Sequence, residues 1–501
     1  MDYLDPRKQR AYKIRLMVGY FLTGCVLVLA TLILVYGAYG YGINTKTGQI
    51  IENGLLFVGS QPGGAQIYLN GKLQSSTTSA RFVLPAKKYT LTLKKAGYRS
   101  WQRSFILNAH AIERYDYPFL FPTQPRTFDL KDYDSLPALV TQTPDYHWLI
   151  VEQPASTSAT VSFDEFDTSN LAAQPLVLNL PADLLTDADS SASTLKVVEW
   201  SSDNKHLLLE HDYAGGQEFI VFDRTDPTKS FNINKLFKIN PTQVALRNKS
   251  VDQLYLYDGS AQTLQVADTT QNVLAPAFLK HVLAFKPYGD SLMTYVTDEN
   301  MPSGQVQARI WNNGQTYPLY TFKAGTHYLI NAAQYSGHWY YVAGSDTSRI
   351  NIYEDPLSDI ANPKIGKAIP VLGFDDLGAT QASFSNNARF IGIEAAQTFA
   401  VYDFEAKQAY RYTVKQPLSG GQVSWMDGDR WIGQSGTSVF VFDYDYANPQ
   451  MVTPSVYSGP AFFSANYQQM ITFTAVPNSS GVTLERVDMR AGTDLPKNGA
   501  Q

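Results

Sequence analysis

The chain has 501 residues, a net charge of −5, 13% aromatic residues and 17% charged residues. This length has room for two or more domains, and abundant aromatic residues with sparse charge favour β-sheet over helical bundles. Cys25 is the single cysteine, which excludes a disulfide framework and a metal site built from several thiolates.

Charge is unevenly distributed along the chain. Residues 1–15 carry five basic and two acidic side chains, and residues 54–118 carry nine basic and two acidic ones. Residues 119–501 therefore hold a net charge of −15, since the whole chain is at −5 and Lys46 cancels Glu52. This pattern predicts a basic module near the N-terminus and an acidic one after it.

Residues 16–42 contain no charged side chain. The apolar stretch from residue 16 to residue 36 would rise about 31 Å as a helix, enough to cross a hydrocarbon core of about 30 Å. The basic residues are concentrated in residues 1–15, so the positive-inside rule predicts a cytoplasmic tail there and an extracytoplasmic remainder. The sequence thus predicts one transmembrane anchor over 16–42 and a single-pass protein of the cell membrane.

Two alternatives remain open for this segment. A cleaved secretory signal would have a shorter apolar region, of about 7 to 15 residues. The sequence Leu22-Thr23-Gly24-Cys25 resembles a lipoprotein lipobox, although the apolar stretch continues well past Cys25 instead of turning polar.

A short polar spacer precedes a compact run of β-strand patterns in residues 54–118. Alternating residues 66–69 are followed by Asn70-Gly71, and this pair predicts a tight hairpin because both central residues of the turn need positive φ. A further strand is predicted over residues 89–93.

This segment resembles the PEGA domain, a small β-sandwich of surface proteins, and the resemblance implies a fold and a surface setting but no catalytic residue. Gly63 and Lys87-Lys88 depart from the family pattern. The matching residues are Ser60, Pro62, Gly64, Ala65, Tyr68-Leu69-Asn70-Gly71-Lys72, Leu84-Pro85, Tyr89, Leu91 and Gly97-Tyr98.

Pro118, Pro122 and Pro125 follow this module, and their density predicts a semi-rigid linker over residues 119–127. From residue 128 the chain repeats every 40 to 50 residues or so, the spacing of a repeat architecture. Each unit has an aromatic residue, a polar turn and an apolar strand, as residues 200–209 and 384–393 show. The same plan recurs in residues 285–290, 335–339, 425–429 and 463–467.

A second landmark of the repeat is a strand that ends in Asp, whose carboxylate can accept hydrogen bonds from the turn amides. Short strands, turns and this period predict a β-propeller over residues 128–492 with a polar tail over 493–501. The turns resemble those of TolB-like and WD40-like blades. Eight units are counted, including a weak first one over residues 148–167, and seven is the alternative. The Asp landmarks are Asp223, Asp268, Asp403, Asp443 and Asp488.

Patterns typical of catalysis are absent from the sequence. There is no Gly-x-Ser-x-Gly motif, and His206 and His211 are five residues apart in a strand, so they point to opposite faces and cannot share a metal. Asp pairs such as Asp164 with Asp167 lack the spacing of a calcium loop and are interpreted as turn formers. The tryptophans of the repeat are interpreted as packing between blades, with sugar stacking as the alternative.

One charge cluster is a candidate binding site. It lies in the PEGA-like module just outside the membrane, where anionic lipid or cell-wall polymer would attract it, although an ordinary solvated face is the alternative interpretation. The cluster comprises Lys72, Lys87, Lys88, Lys94, Lys95, Arg99 and Arg103.

Together these features predict a non-enzymatic, membrane-anchored scaffold of the bacterial cell envelope, all-β outside the membrane. It needs no cofactor or metal and contacts no nucleic acid, and its propeller binds an envelope protein or glycan. One alternative is a sensory or regulatory subunit of a membrane complex. Another is a carbohydrate-active enzyme, which would place two carboxylates about 5 to 9 Å apart in the propeller channel.

Overall fold

The computed structural model describes residues 6–38, 41–43, 50–154, 161–187, 193–375 and 377–495. Two compact units are present. The first comprises Met1–Gln124 with Ala491–Leu495, and the second comprises Pro125–Arg490 with Pro496–Gln501.

An N-terminal helix, α1, extends over Pro6–Ala38. Its segment Gln9–Tyr36 is long and apolar enough to cross a membrane, and none of its side chains is buried by protein. The helix therefore starts before the predicted anchor of residues 16–42 and takes in the basic segment. It also ends earlier, because Gly42 lies in a strand.

The first unit contains two four-stranded sheets. Sheet A comprises β1 (Tyr41–Ile43), β2 (Ile50–Val58), β5 (Ala80–Pro85) and β8 (Ile112–Tyr115). Sheet B comprises β3 (Gln66–Leu69), β4 (Lys72–Thr77), β6 (Lys87–Lys94) and β7 (Trp101–Leu107). The order is β1-β2-β5 in sheet A, with β8 parallel to β2, and β4-β3-β6-β7 in sheet B.

Alternate residues of both sheets form one buried core, as a sandwich requires. Leu56 and Val58 of β2 pack with Leu91 and Leu93 of β6, and Trp101 joins them from β7. The predicted hairpin is confirmed: Asn70 and Gly71 have φ of 51° and 79° and connect β3 to β4. The small β-sandwich expected from the sequence is thus present.

The first unit includes residues that precede the second unit in the chain and residues that follow it. Phe119, Leu120 and Phe121 are buried, and Arg99 N donates to the Phe121 carbonyl at 2.8 Å. The structure therefore packs residues 119–124 into the first unit, where the sequence predicts part of a linker over 119–127. Their aromatic and apolar side chains explain the difference, because burying them is favourable.

The second unit forms eight four-stranded antiparallel sheets within its described residues. In each of blades 1 to 4, the four strands are neighbours in chain order. Blade 1 is β10 (Val140–Gln142), β11 (Trp148–Glu152), β12 (Ser162–Asp167) and β13 (Leu176–Asn179); blade 2 is β14 (Thr194–Trp200), β15 (His206–Tyr213), β16 (Gly216–Asp223) and β17 (Phe231–Asn232); blade 3 is β18 (Gln243–Leu246), β19 (Gln253–Asp258), β20 (Thr263–Asp268) and β21 (Val273–Leu274); blade 4 is β22 (Val282–Tyr288), β23 (Leu292–Thr297), β24 (Gln305–Asn312) and β25 (Gln315–Lys323).

Blades 5 to 7 follow the same plan, whereas blade 8 takes its fourth strand, β9, from the start of the unit. Two short helices, α2 (Ile233–Phe237) and α3 (Pro356–Ala361), lie in connections. Blade 5 is β26 (Asn331–Tyr335), β27 (His338–Ala343), β28 (Ile350–Glu354) and β29 (Pro370–Phe374); blade 6 is β30 (Gln381–Phe384), β31 (Phe390–Ala395), β32 (Thr398–Asp403) and β33 (Gln408–Thr413); blade 7 is β34 (Ser419–Trp425), β35 (Arg430–Ser435), β36 (Ser438–Asp443) and β37 (Gln450–Pro454); blade 8 is β38 (Phe462–Phe463), β39 (Gln469–Ala475), β40 (Val482–Asp488) and β9 (Thr127–Tyr133). The propeller is thus eight-bladed, as counted from the repeat.

The ring closes between its two chain ends. Strand β9, the first of the unit, pairs with β40 from Val482↔Tyr133 to Val487↔Thr127 and completes blade 8. Gln142 of blade 1 donates through Nε2 to the Phe463 carbonyl of blade 8 at 2.6 Å. Pairing the first and last strands of the unit in one blade closes the ring.

Aromatic residues at the ends of first strands connect neighbouring blades. Trp200 Nε1 donates to Thr141 Oγ1 at 2.9 Å, and Trp425 Nε1 donates to Ser383 Oγ at 3.1 Å. Tyr288 OH donates to Asn331 Oδ1 at 2.8 Å. The interpretation of Trp200 and Trp425 as residues that pack between blades is confirmed, since both are buried as well.

The Asp residues that end third strands organise the following turns. Asp223 Oδ1 accepts from the amides of Thr225 and Asp226 at 2.9 and 3.1 Å. Asp403 does the same with Glu405 and Ala406. The predicted role of these carboxylates as turn acceptors is confirmed at both positions.

Glu394 of β31 makes stability depend on pH. It is buried, and this desolvation raises the pKa of its carboxyl group to about 7, against a smaller opposing effect of the Val423 backbone. Because the folded state favours the protonated carboxyl group, the contribution of Glu394 to the free energy of unfolding is greatest below the pKa that it has in the unfolded state. This contribution decreases as pH rises and is lost once pH passes about 7.

We expect Glu394→Gln to have nearly wild-type stability at pH 4.5 and to exceed it at pH 8 by up to about 3 kcal/mol. Urea denaturation of the full chain in detergent at both pH values measures this difference. An equal difference in stability between the variant and the wild type at both pH values would show that the carboxyl group does not titrate in this range.

Candidate functional site

Four of the seven predicted basic residues are exposed on the first unit. Lys72 begins β4, and Lys87, Lys88 and Lys94 lie at the ends of β6. Lys88 and Lys94 share the outer face of sheet B, because the alternate residues of β6 point into the core. Their ammonium groups are accessible to an anionic surface.

The other three basic residues are occupied within the first unit. Lys95 pairs with Asp494 at 2.9 Å, and Arg103 donates to Tyr117 OH at 3.0 Å while lying 5.7 Å from the Tyr115 ring. Burial lowers the pKa of the Arg99 guanidinium. The seven residues thus do not form one patch, and binding of an anionic surface by the exposed four stays a prediction.

A cavity of about 640 Å³ opens among the first strands of blades 2 to 5. First strands lie innermost in a propeller, so this cavity belongs to the central channel. Polar and aromatic side chains both line it, as is typical of ligand sites. The residues that give it chemical character are Glu199, Lys249, Lys286, Tyr288, Gln334 and Trp339.

The electrostatics of the cavity are dominated by two lysines and one carboxylate. Glu199 pairs with Lys249 and also accepts from the Leu246 amide at 2.5 Å. Lys286 is exposed to the cavity, but protein atoms surround much of its side chain. Desolvation, and to a lesser extent repulsion from Lys249, therefore lower the pKa of its ammonium group. Among the described residues, no carboxylate lies within 4 Å of Lys286, which leaves this cation available to an anionic group.

Turns of blades 6, 7, 8 and 1 contact one another. Asn386 Nδ2 of blade 6 donates to Tyr146 OH of blade 1 at 2.8 Å. Tyr467 OH of blade 8 donates to the Met426 carbonyl of blade 7 at 3.1 Å, and its ring lies 5.8 Å from that of Tyr146. These residues are not among those that line the cavity, which belong to blades 2 to 5.

The innermost strands offer little for carboxylate chemistry. Across the eight described first strands, Glu199 is the single acidic residue, and it is already paired with Lys249. Within the described ranges, no group of three or more His, Cys, Asp or Glu side chains is arranged to hold a metal ion. The paired carboxylates that a glycosidase needs are not found on these strands.

A chain of hydrogen bonds in blade 2 has the order of a catalytic triad. Ser193 Oγ lies 2.8 Å from His211 Nε2, and His211 Nδ1 lies 2.8 Å from Glu218 Oε1. His211 is fully buried, however, and Glu218 also accepts hydrogen bonds from Thr186 and Asn232.

Burial alone would raise the pKa of Glu218, but the hydrogen bonds from His211, Thr186 and Asn232 outweigh it and lower the pKa. A substrate cannot reach the buried imidazole of His211. The arrangement connects the entry to blade 2 with its second and third strands.

Sequence reasoning missed the channel cavity. Lys286 follows Phe285 in a recognised repeat unit, and the one signal available was a lysine within an otherwise apolar first strand. Asp164 was interpreted as a turn former, and this interpretation is wrong. Asp164 is buried in the middle of β12, where Lys131, Tyr133 and Gln153 each donate to it at 2.8 Å.

The family comparison agrees with the sandwich in the first unit. Residues 53–113 match the PEGA domain family. The match covers the strands from β2 to β8, and no curated protein matches this chain in sequence.

Among solved structures, the propeller region is similar to several β-propellers at low identity. The C-terminal WD40 domain of Sif2 has 10% identity and a TM-score of 0.46, covering 73% of this chain and 99% of that one. An oligogalacturonate lyase in complex with manganese has 10% identity and a TM-score of 0.39, covering 73% and 98%. Kluyveromyces lactis Hsv2 has 10% identity and a TM-score of 0.38, covering 72% and 100%.

Proposed function

We propose that this protein is a non-enzymatic, membrane-anchored scaffold of the cell envelope, whose propeller binds a protein partner at its channel cavity. The observation that carries the proposal is the exposed Lys286, which lines a cavity of about 640 Å³ together with Trp339 and Tyr288. A cation with aromatic neighbours suits an acidic side chain presented on a protein loop, because the pair is desolvated on binding.

The proposed topology follows from the N-terminal helix and its flanks. Five basic residues lie in residues 1–15, whereas the PEGA domain and the propeller come after the helix. We expect the helix to span the membrane with its N-terminus in the cytoplasm.

External protease added to intact cells should therefore remove the propeller, while an epitope at the N-terminus stays protected until lysis. Immunoblotting for both regions measures this. Protection of the propeller in intact cells would contradict the topology, and an apolar segment missing from the mature chain would indicate a cleaved signal.

Photo-crosslinking tests the binding site. A photoreactive residue replaces Gln334, which is exposed at the cavity, and in a matched variant it replaces Gln408, which is exposed on the outermost strand of blade 6. We expect Gln334 to crosslink a defined protein in intact envelopes and Gln408 not to do so.

Lys286→Gln should reduce this crosslink, whereas Lys323→Gln, on the exposed fourth strand of blade 4, should leave it unchanged. Identical products from both positions, or no effect of Lys286→Gln, would show that the cavity is not the binding site. A crosslinked glycan in place of a protein would favour the glycan alternative.

A further inference from the structure

The outer face of sheet A carries an exposed apolar row. Strand register places Val83 beside Leu55, and Leu55 beside Ile112, so the three residues cross three neighbouring strands. Val83 is 61% exposed and Ile112 is 58% exposed. Adjacent strands are about 4.8 Å apart, so the row is about 10 Å wide.

Two arginines flank this row on the same face. Arg81 pairs in register with Phe57, and Phe57 with Arg114. The Arg114 guanidinium lies 4.4 Å from the Phe57 ring centroid, and Arg81 is exposed. The face thus combines apolar side chains with cations, the combination found where proteins lie at a lipid interface.

The sheet follows the N-terminal helix closely in the chain. Strand β1 begins at Tyr41, three residues after the helix ends at Ala38, and Tyr41 lies 5.2 Å from Tyr36 and 5.4 Å from His110 between ring centroids. Strand β2 is antiparallel to β1 and passes the level of Tyr41 at Glu52. From Glu52, β2 continues in the direction opposite to that of β1. Leu55 is three residues further along β2, so it lies about 10 Å beyond the position of Tyr41.

From this geometry we propose that the outer face of sheet A rests on the anionic lipid surface beside the helix. The residues that make the contact are Leu55, Phe57, Arg81, Val83, Ile112 and Arg114. The apolar row enters the headgroup region, and the two arginines pair with lipid phosphates. This site is on the opposite side of the PEGA domain from the exposed Lys88 and Lys94, which lie on the outer face of sheet B.

Depth-dependent quenching in vesicles tests the proposal with the full chain. Cys25, the single cysteine, is changed to Ser, and one cysteine is then introduced as Val83→Cys, Ile112→Cys or Ile106→Cys. Ile106 is the matched control, because it is 62% exposed on the outer face of sheet B. Each variant carries an environment-sensitive fluorophore and is reconstituted in phosphatidylglycerol vesicles that contain spin-labelled lipid.

We expect the fluorophores at positions 83 and 112 to shift to shorter wavelength and to be quenched, while the fluorophore at position 106 stays in water. The pair of changes Arg81→Gln and Arg114→Gln should reduce the quenching at position 83. Quenching at position 106 alone would overturn the proposal and favour the lysine face of sheet B. Equal fluorescence at all three positions, or quenching at position 83 that ignores the arginine changes, would also overturn it.

Discussion

Trp200→Ala and Trp425→Ala should each destabilise the propeller by about 3 to 5 kcal/mol, the usual cost of truncating a buried large aromatic residue. Trp425 stacks on Trp431 with 3.8 Å between ring centroids, and its indole donates to Ser383 of the preceding blade. Removing it opens a cavity at a joint between two blades and also leaves the partly buried Ser383 without this donor.

Thermal unfolding of the full chain in detergent measures these changes. Trp200→Phe is the informative intermediate, because it loses the hydrogen bond to Thr141 but keeps most of the apolar contact, and it should cost about 1 kcal/mol. Trp339→Ala serves as the control, since this partly exposed side chain lines the channel cavity. A Trp425→Ala variant that unfolds at the wild-type temperature would contradict its role in the core.

Asp164→Ala should destabilise the propeller by about 1 to 3 kcal/mol, because it removes the acceptor of the buried Tyr133 hydroxyl and the ion-pair partner of the partly exposed Lys131. The Asp164 carboxylate is fully buried and accepts from Lys131 and Tyr133, which belong to β9. Since β9 completes blade 8 and Asp164 lies in blade 1, the network reinforces the closure of the ring. Its loss weakens the joint that holds the two ends of the propeller together.

Denaturant unfolding measures this effect, with Asp212→Ala as the matched control. Asp212 pairs with Lys196 at an exposed position of blade 2, and such a pair contributes about 1 kcal/mol or less. Similar losses for the two variants would show that the Asp164 network has no special role in closure.

Local patterns predicted much of the fold. Asn70-Gly71 predicted its hairpin because few residue pairs accept two positive φ angles in succession. The blades followed from a repeated aromatic residue, turn and strand. Blade 1 is the weak unit because Gln142 stands where other units have an aromatic residue. Its turn is nevertheless formed, since Thr143 Oγ1 donates to Asp145 at 2.6 Å and accepts from the Trp148 amide.

Contacts between distant residues could not be predicted from such patterns. Strand β9 pairs with β40, although the rest of the propeller separates them in the chain. Neither strand carries a local sequence pattern that indicates the other. Residues of four blades line the channel cavity. Lys286 and Trp339 therefore face the same cavity only once the ring has formed. The basic cluster failed to form one patch because strand alternation sends Arg103 inward and Lys88 outward.

The segment Ala491–Leu495 has a consequence for biosynthesis. Asp494, which pairs with Lys95 and accepts from Tyr98 OH at 2.9 Å, lies 399 positions after Lys95 in the chain. The ribosome must therefore translate the entire propeller before the PEGA domain acquires this partner. A chain that stops before Asp494 keeps the hydrogen bond from Lys95 to the Gly63 carbonyl but lacks this ion pair.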